Sequence, residues 1–102
     1  MARAGHFGDC SASFKRHAGE LFRLLGMKLS YDALTEIRRI RDKPRERHGG
    51  PGNSDWKTIV KILLAERDGL PWQWAFGRRI EYIVPASKGG RDVLENIRLS
   101  DH

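Results

Sequence analysis

The spacing of apolar residues in this chain changes once, at Gly69, and that change narrows the folds open to it. Upstream, apolar side chains recur at helical intervals; downstream, they alternate with polar ones. Phe14, Ala18, Leu21, Phe22 and Leu25 lie on one face of a helix that Ser11 or Ser13 caps and Gly26 stops. Ser30 caps a second helix, from Tyr31 to about Asp42, with Leu34, Ile37 and Ile40 as its buried stripe. Pro44 disfavours a helical Lys43 and so ends it. Residues 48–53, His-Gly-Gly-Pro-Gly-Asn, read as a linker. Ser54 then caps a third helix carrying Trp56, Ile59, Val60, Leu63 and Leu64, which Gly69 stops. Beyond it, residues 79–84 (Arg-Ile-Glu-Tyr-Ile-Val) alternate and read as a strand ended by Pro85. Ser87-Lys88-Gly89-Gly90 is a loop that needs glycine dihedrals, and Asp92 caps a short helix from Val93 to about Ile97.

The expected class is therefore α+β. Residues 1–47 form a helical, basic segment, 48–53 a linker, and 54–102 a helix leading into a small strand-containing frame. At 102 residues the chain has room for one modest core. No apolar run approaches the ~18 residues of a membrane span, and Met1–His6 lacks the apolar stretch of a signal peptide. Cys10 is the only cysteine, which rules out an internal disulfide and makes an intracellular site (cytoplasmic or nucleoid-associated) the default expectation. His6, Cys10 and His17 do not have the spacing of a recognised metal site.

The net charge of +6 points to a polyanionic partner, nucleic acid first. Residues 1–53 hold 11 Lys/Arg against 6 Asp/Glu, and residues 54–102 hold 8 against 7. The densest run is Arg38, Arg39, Arg41, Lys43, Arg45 and Arg47, more cations than a helix end requires. We read it as a phosphate-contacting patch, extended by Arg78, Arg79, Lys88, Arg91 and Arg98. No base-reading element stands out, so binding is expected to be mainly non-specific.

Four spaced elements recur in order after Trp56: Arg67-Asp68-Gly69, Ile83-Val84-Pro85, Ser87-Lys88-Gly89-Gly90 and Leu94-Glu95-Asn96. In this, residues 56–102 resemble the HNH (ββα-metal) nuclease family, whose members carry R-D-G, C-x-x-C-G, D-H-I-V-P, S-K-G-G and L-E-N in that order. The resemblance implies a minimal ββα-like frame. It also implies that the chemistry is largely gone. The family's Asp-His pair falls on Glu81 and Tyr82, and a phenol with an ordinary pKa of about 10 is a poor base at neutral pH. Asn96, which in the family orients the base His, is retained without its client and reads best as a residue bonded to backbone. His102 matches the family's closing metal ligand with the register off by one; Glu81 and His102 are the weak metal candidates.

The family's cysteine pair falls on Trp72 and Ala75, or on Gln73 and Phe76. No structural zinc is therefore expected. Trp72, Trp74 and Phe76 are expected to form an aromatic cluster, either as local core in place of the metal or as a face for stacking on bases or docking a protein. The leading reading is a degenerate HNH-type nucleic-acid-binding protein without cleavage activity and without a cofactor. The alternatives are a divergent endonuclease using Mg or Mn, and a small phage or mobile-element protein that inhibits a host protein.

Overall fold

A computed structural model describes residues 11–43 and 52–101. Three helices, α1 (Ser11–Leu25), α2 (Tyr31–Arg41) and α3 (Asn53–Arg67), precede a two-stranded antiparallel sheet of β1 (Ile80–Tyr82) and β2 (Ile97–Leu99). The architecture is α+β. Helix α3 lies at its centre, with α1, α2, the turn Trp72–Ala75 and β2 packed around it. Its burial explains why: Ile59, Val60, Ile62, Leu63, Leu64 and Ala65 are all sequestered, more than a single amphipathic stripe would place inside. The expected stripe of α1 is observed, with Phe14, Ala18, Leu21 and Leu25 buried and Phe22 half-buried. On α2 the buried set is Ala33, Ile37 and Ile40, and Leu34 sits at its margin.

The helix ends follow local chemistry. Ser30 Oγ accepts the Ala33 N–H at 3.2 Å and caps α2. Helix α3 starts two residues earlier than expected: Gly52, not Ser54, is its cap, and the Asp55 carboxylate accepts the Gly52 N–H at 3.0 Å. At the other end Gly69 takes φ +73°, its N–H bonds to Glu66 C=O, and Leu70 N–H bonds to Ala65 C=O. That pair of bonds is a Schellman closure, which needs a residue tolerant of the left-handed region. Ser13 does not cap α1; it lies inside the helix with its hydroxyl turned into the structure.

The segment after Gly90 departs most from expectation. Instead of a helix to Ile97 there is one 3-10 turn, Leu94–Asn96, and then β2. Ile97 and Leu99 are buried on either side of exposed Arg98, a period of two that a helix could not satisfy. The strand register pairs Ile80 with Leu99, Glu81 with Arg98 and Tyr82 with Ile97. No described helix is long and apolar enough to cross a membrane.

Candidate nucleic-acid interface

The loop between the strands is held by polar side chains that grip backbone. Asn96 makes three backbone bonds: Oδ1 accepts Val84 N–H at 2.8 Å, and Nδ2 donates to Val84 C=O at 2.9 Å and Arg91 C=O at 2.8 Å. Gly89 (φ +88°) supplies the turn. Gly90 is needed for space, because a Cβ there would lie 1.6 Å from the Val84 carbonyl oxygen. Arg67, at the end of α3, donates to Leu94 C=O at 2.9 Å and to Ile97 C=O at 3.0 Å, while its Nε donates to Asp68 at 2.8 Å. The Arg-Asp-Gly run therefore ends a helix and carries the guanidinium that docks the next segment onto it.

A second tie joins this loop to α1. Fully buried His17 bonds through Nε2 to Asp92 Oδ1 at 2.8 Å, and the Ser13 hydroxyl donates to Asp92 Oδ2. Arg16 donates to the Asp92 backbone carbonyl at 3.0 Å. Burial pushes the Asp92 carboxyl up, but the hydrogen bonds from Ser13 and His17 and the charges of His17 and Arg16 outweigh it, so the group lies below the usual carboxylate range. The trio is not a nucleophile–base relay: Nε2 faces both Asp92 and Ser13, and the hydroxyl donates to the carboxylate rather than to the imidazole. The sequence carried a signal for His17, which falls on the same helical face as Phe14, Ala18 and Leu21. Asp92 was expected to cap a helix; its carboxylate is engaged by α1 instead.

The cations sort by what they touch. Lys88 and Arg91 project exposed from the gripped loop, and no described carboxylate pairs with either. Arg79 is exposed at the entry to β1, its backbone pinned on both sides by Ser100. Arg78 donates to Ser100 C=O at 3.1 Å and stacks on the Trp74 ring at 4.3 Å. Arg98 is ion-paired with Glu81 at 2.8 Å. On α2, Arg39 is bound by Glu36, whose carboxyl it holds below the usual range, and Arg41 pairs with Asp42 at 3.1 Å. Arg38 is exposed and has no described carboxylate partner, and Lys43 is engaged elsewhere. Arg45 and Arg47 lie outside the described residues. The basic run on α2 is thus partly neutralised by its own neighbours.

Of the positions expected from the resemblance, Glu81 is paired with Arg98, Tyr82 is half-buried against the core opposite Ile97, and Asn96 is bonded to backbone. His102, His6 and Cys10 lie outside the described residues. Among the described residues no three His, Cys, Asp or Glu side chains gather to hold a metal ion.

The expected aromatic cluster of Trp72, Trp74 and Phe76 does not form, and the protein-docking face built on it is withdrawn. Trp72 packs half-buried on the core and meets Phe76 only edge-on, with centroids 6.0 Å apart. Trp74 lies apart from both, beneath Arg78. The cause is the 3-10 turn Trp72–Ala75, whose three residues per turn send side chains two apart to different sides.

Comparison of the chain with protein-family models, curated proteins and solved structures found no match.

Proposed function

We propose that this protein binds nucleic acid through the phosphate backbone, on a frame similar to that of HNH nucleases and without their general base. The observation that carries this reading is the loop that presents Lys88 and Arg91. Two cations without described carboxylate partners stand on a segment fixed by Asn96, Gly90, Arg67 and the Asp92–His17 tie. Rigid support lowers the ordering cost of each phosphate contact, and the net charge of +6 adds long-range attraction. Ammonium and guanidinium groups contact phosphates without reading sequence, so discrimination among sequences is small.

Cleavage is no part of this reading. A phenol stands at the family's base position, Glu81 is ion-paired with Arg98, and the Asn96 amide is committed to three backbone bonds. Binding of a short DNA duplex, measured across a range of salt concentrations, tests the proposal. Affinity should fall steeply with salt, and Lys88→Gln with Arg91→Gln should flatten the slope of log K against log salt by about two units. No binding at low salt would overturn the reading. Nicking of plasmid DNA by the parent in magnesium or manganese, abolished by Glu81→Ala, would replace it with a divergent nuclease.

A further inference from the structure

The turn after α3 leaves one indole in the open, and the chain folds a cation back over it. In the 3-10 turn Trp72–Ala75, Trp72 packs half-buried on the core and Ala75 is buried, whereas Trp74 keeps 43% of its surface exposed. Gly77 then takes φ +86°, a left-handed dihedral that suits glycine. Beyond that turn the Arg78 guanidinium lies over the Trp74 ring, 4.3 Å from its centroid. A second bond holds Arg78 there, since it also donates to the Ser100 C=O at 3.1 Å. The two flat groups form a fixed, part-exposed platform.

Ser100 joins this platform to a cleft beside it. Its Oγ accepts the Arg79 N–H at 3.1 Å, and its own N–H donates to the Arg79 C=O at 2.8 Å. Arg79, Ser100 and Gly77 line a polar cleft of ≈ 680 Å³ together with Glu81, Arg98 and Asp101. Glu81 and Arg98 pair with each other at 2.8 Å, and Asp101 is the remaining acid. Arg79 is exposed and has no ion-pair partner among the described residues. A stacking surface and an uncommitted guanidinium therefore stand on consecutive residues, both fixed by one serine. A nucleotide carries the matching groups, a flat base and an anionic phosphate joined through a sugar. Asp101 offsets part of the charge, so stacking rather than net charge supplies most of the grip. A duplex cannot supply the base, because its bases are stacked on one another.

We infer that Trp74, Arg78 and Arg79 form a single-strand site, which stacks one unpaired base on the platform and contacts its phosphate through Arg79. The inference rests on the phosphate-binding reading above and adds to it a preference for strands with unpaired bases. It needs one ring and its cation, not a cluster of aromatic side chains. Every base has a π-face, so the contact tolerates any sequence.

The test uses the full chain with Trp74→Ala, Trp74→Phe and Arg79→Gln. Binding is measured for a short single strand of DNA, an abasic strand of equal length and charge, a duplex and a nucleoside monophosphate. The indole N–H signal of Trp74, assigned by its absence from Trp74→Phe, is followed by NMR. The parent should bind the base-bearing strand about tenfold tighter than the abasic one, the size expected for one stacked base. Trp74→Ala should abolish that preference and Trp74→Phe should retain part of it. Arg79→Gln should flatten the salt slope for the single strand by about 0.7 unit, one phosphate contact. The Trp74 signal should move with the base-bearing strand and stay in place with the abasic strand and the duplex. Equal affinity of the parent for the two single strands, or a preference that survives Trp74→Ala, overturns the platform and leaves the phosphate-binding reading standing. A nucleoside monophosphate that binds as tightly as the strand makes this a free-nucleotide site and overturns the single-strand assignment. If the parent binds neither strand nor duplex, both readings fall.

Discussion

The helical region, residues 11–43 and 52–67, and the segment from Leu70 to Asp101 are stabilised by different forces. In the first, burial dominates: Phe14, Leu21, Ile37, Ile59, Ile62, Leu63 and Leu64 are all fully sequestered. In the second only Ala75, Ile80, Ile97 and Leu99 are buried, with Leu70, Trp72, Tyr82 and Leu94 packed part-exposed against the core, and a large share of the order comes from side chains bonded to backbone. Asn96 ties Val84 and Arg91, Arg67 ties Leu94 and Ile97, and Arg78 ties Ser100. Apolar burial is non-directional and spread over many contacts. A hydrogen-bonded loop depends on the position of individual atoms and fails locally when one is lost. The difference suits a helical platform that carries a fixed, cation-bearing loop.

The largest effect expected from this comparison is in the platform. Phe14→Ala should cost about 3–5 kcal/mol of global stability, read as a shift in the denaturant midpoint with the slope unchanged. Should the loss instead stay confined to hydrogen exchange near Phe14, the helices would not be one cooperative unit. Next comes Gly90→Ala in the loop, where the added methyl must displace the Val84 carbonyl. It should cost about 1–3 kcal/mol and change amide signals chiefly between positions 83 and 97. An equally large change across α1–α3 would break the distinction between the two regions.

The smallest effect sharpens the link between them. Asp92 is held below its ordinary pKa in the folded protein. A carboxyl depressed on folding contributes stability that is fully present above the unfolded value, about 3.9, and is lost as pH falls through the folded value. Stability should therefore decline with acid below about pH 4. Asp92→Asn should lower stability at neutral pH and flatten that acid limb. A limb of unchanged steepness in the variant would mean that other carboxylates produce it.

Much of the helical region was legible in the sequence. The stripe of α1, the Ser30 cap and the Gly69 stop were read from residues whose roles are local: period, capping oxygen and left-handed dihedral all act within about one turn. The strand expected over 79–84 was legible for the same reason, though it pairs only over Ile80–Tyr82. Less of the candidate site could be read. Asn96 was recognised as a backbone-bonding residue, yet its partners lie 12 and 5 positions away, and no local rule names them. Asp92 looked like a helix cap because an acid before Val-Leu has that meaning locally; its partners, Ser13 and His17, are 79 and 75 residues away.

By itself, then, the sequence determined the three helices, the change from helical to alternating spacing and the excess of positive charge. Tertiary structure decided how the charges are spent. It neutralised Arg39, Arg41 and Arg98 with neighbouring acids and left Lys88, Arg91 and Arg79 without such partners among the described residues. It also separated Trp74 from Trp72. The physical reason is range. Backbone propensity and capping act between near neighbours, whereas the pairing of a charge or the contact of a ring depends on which distant segment packs beside it.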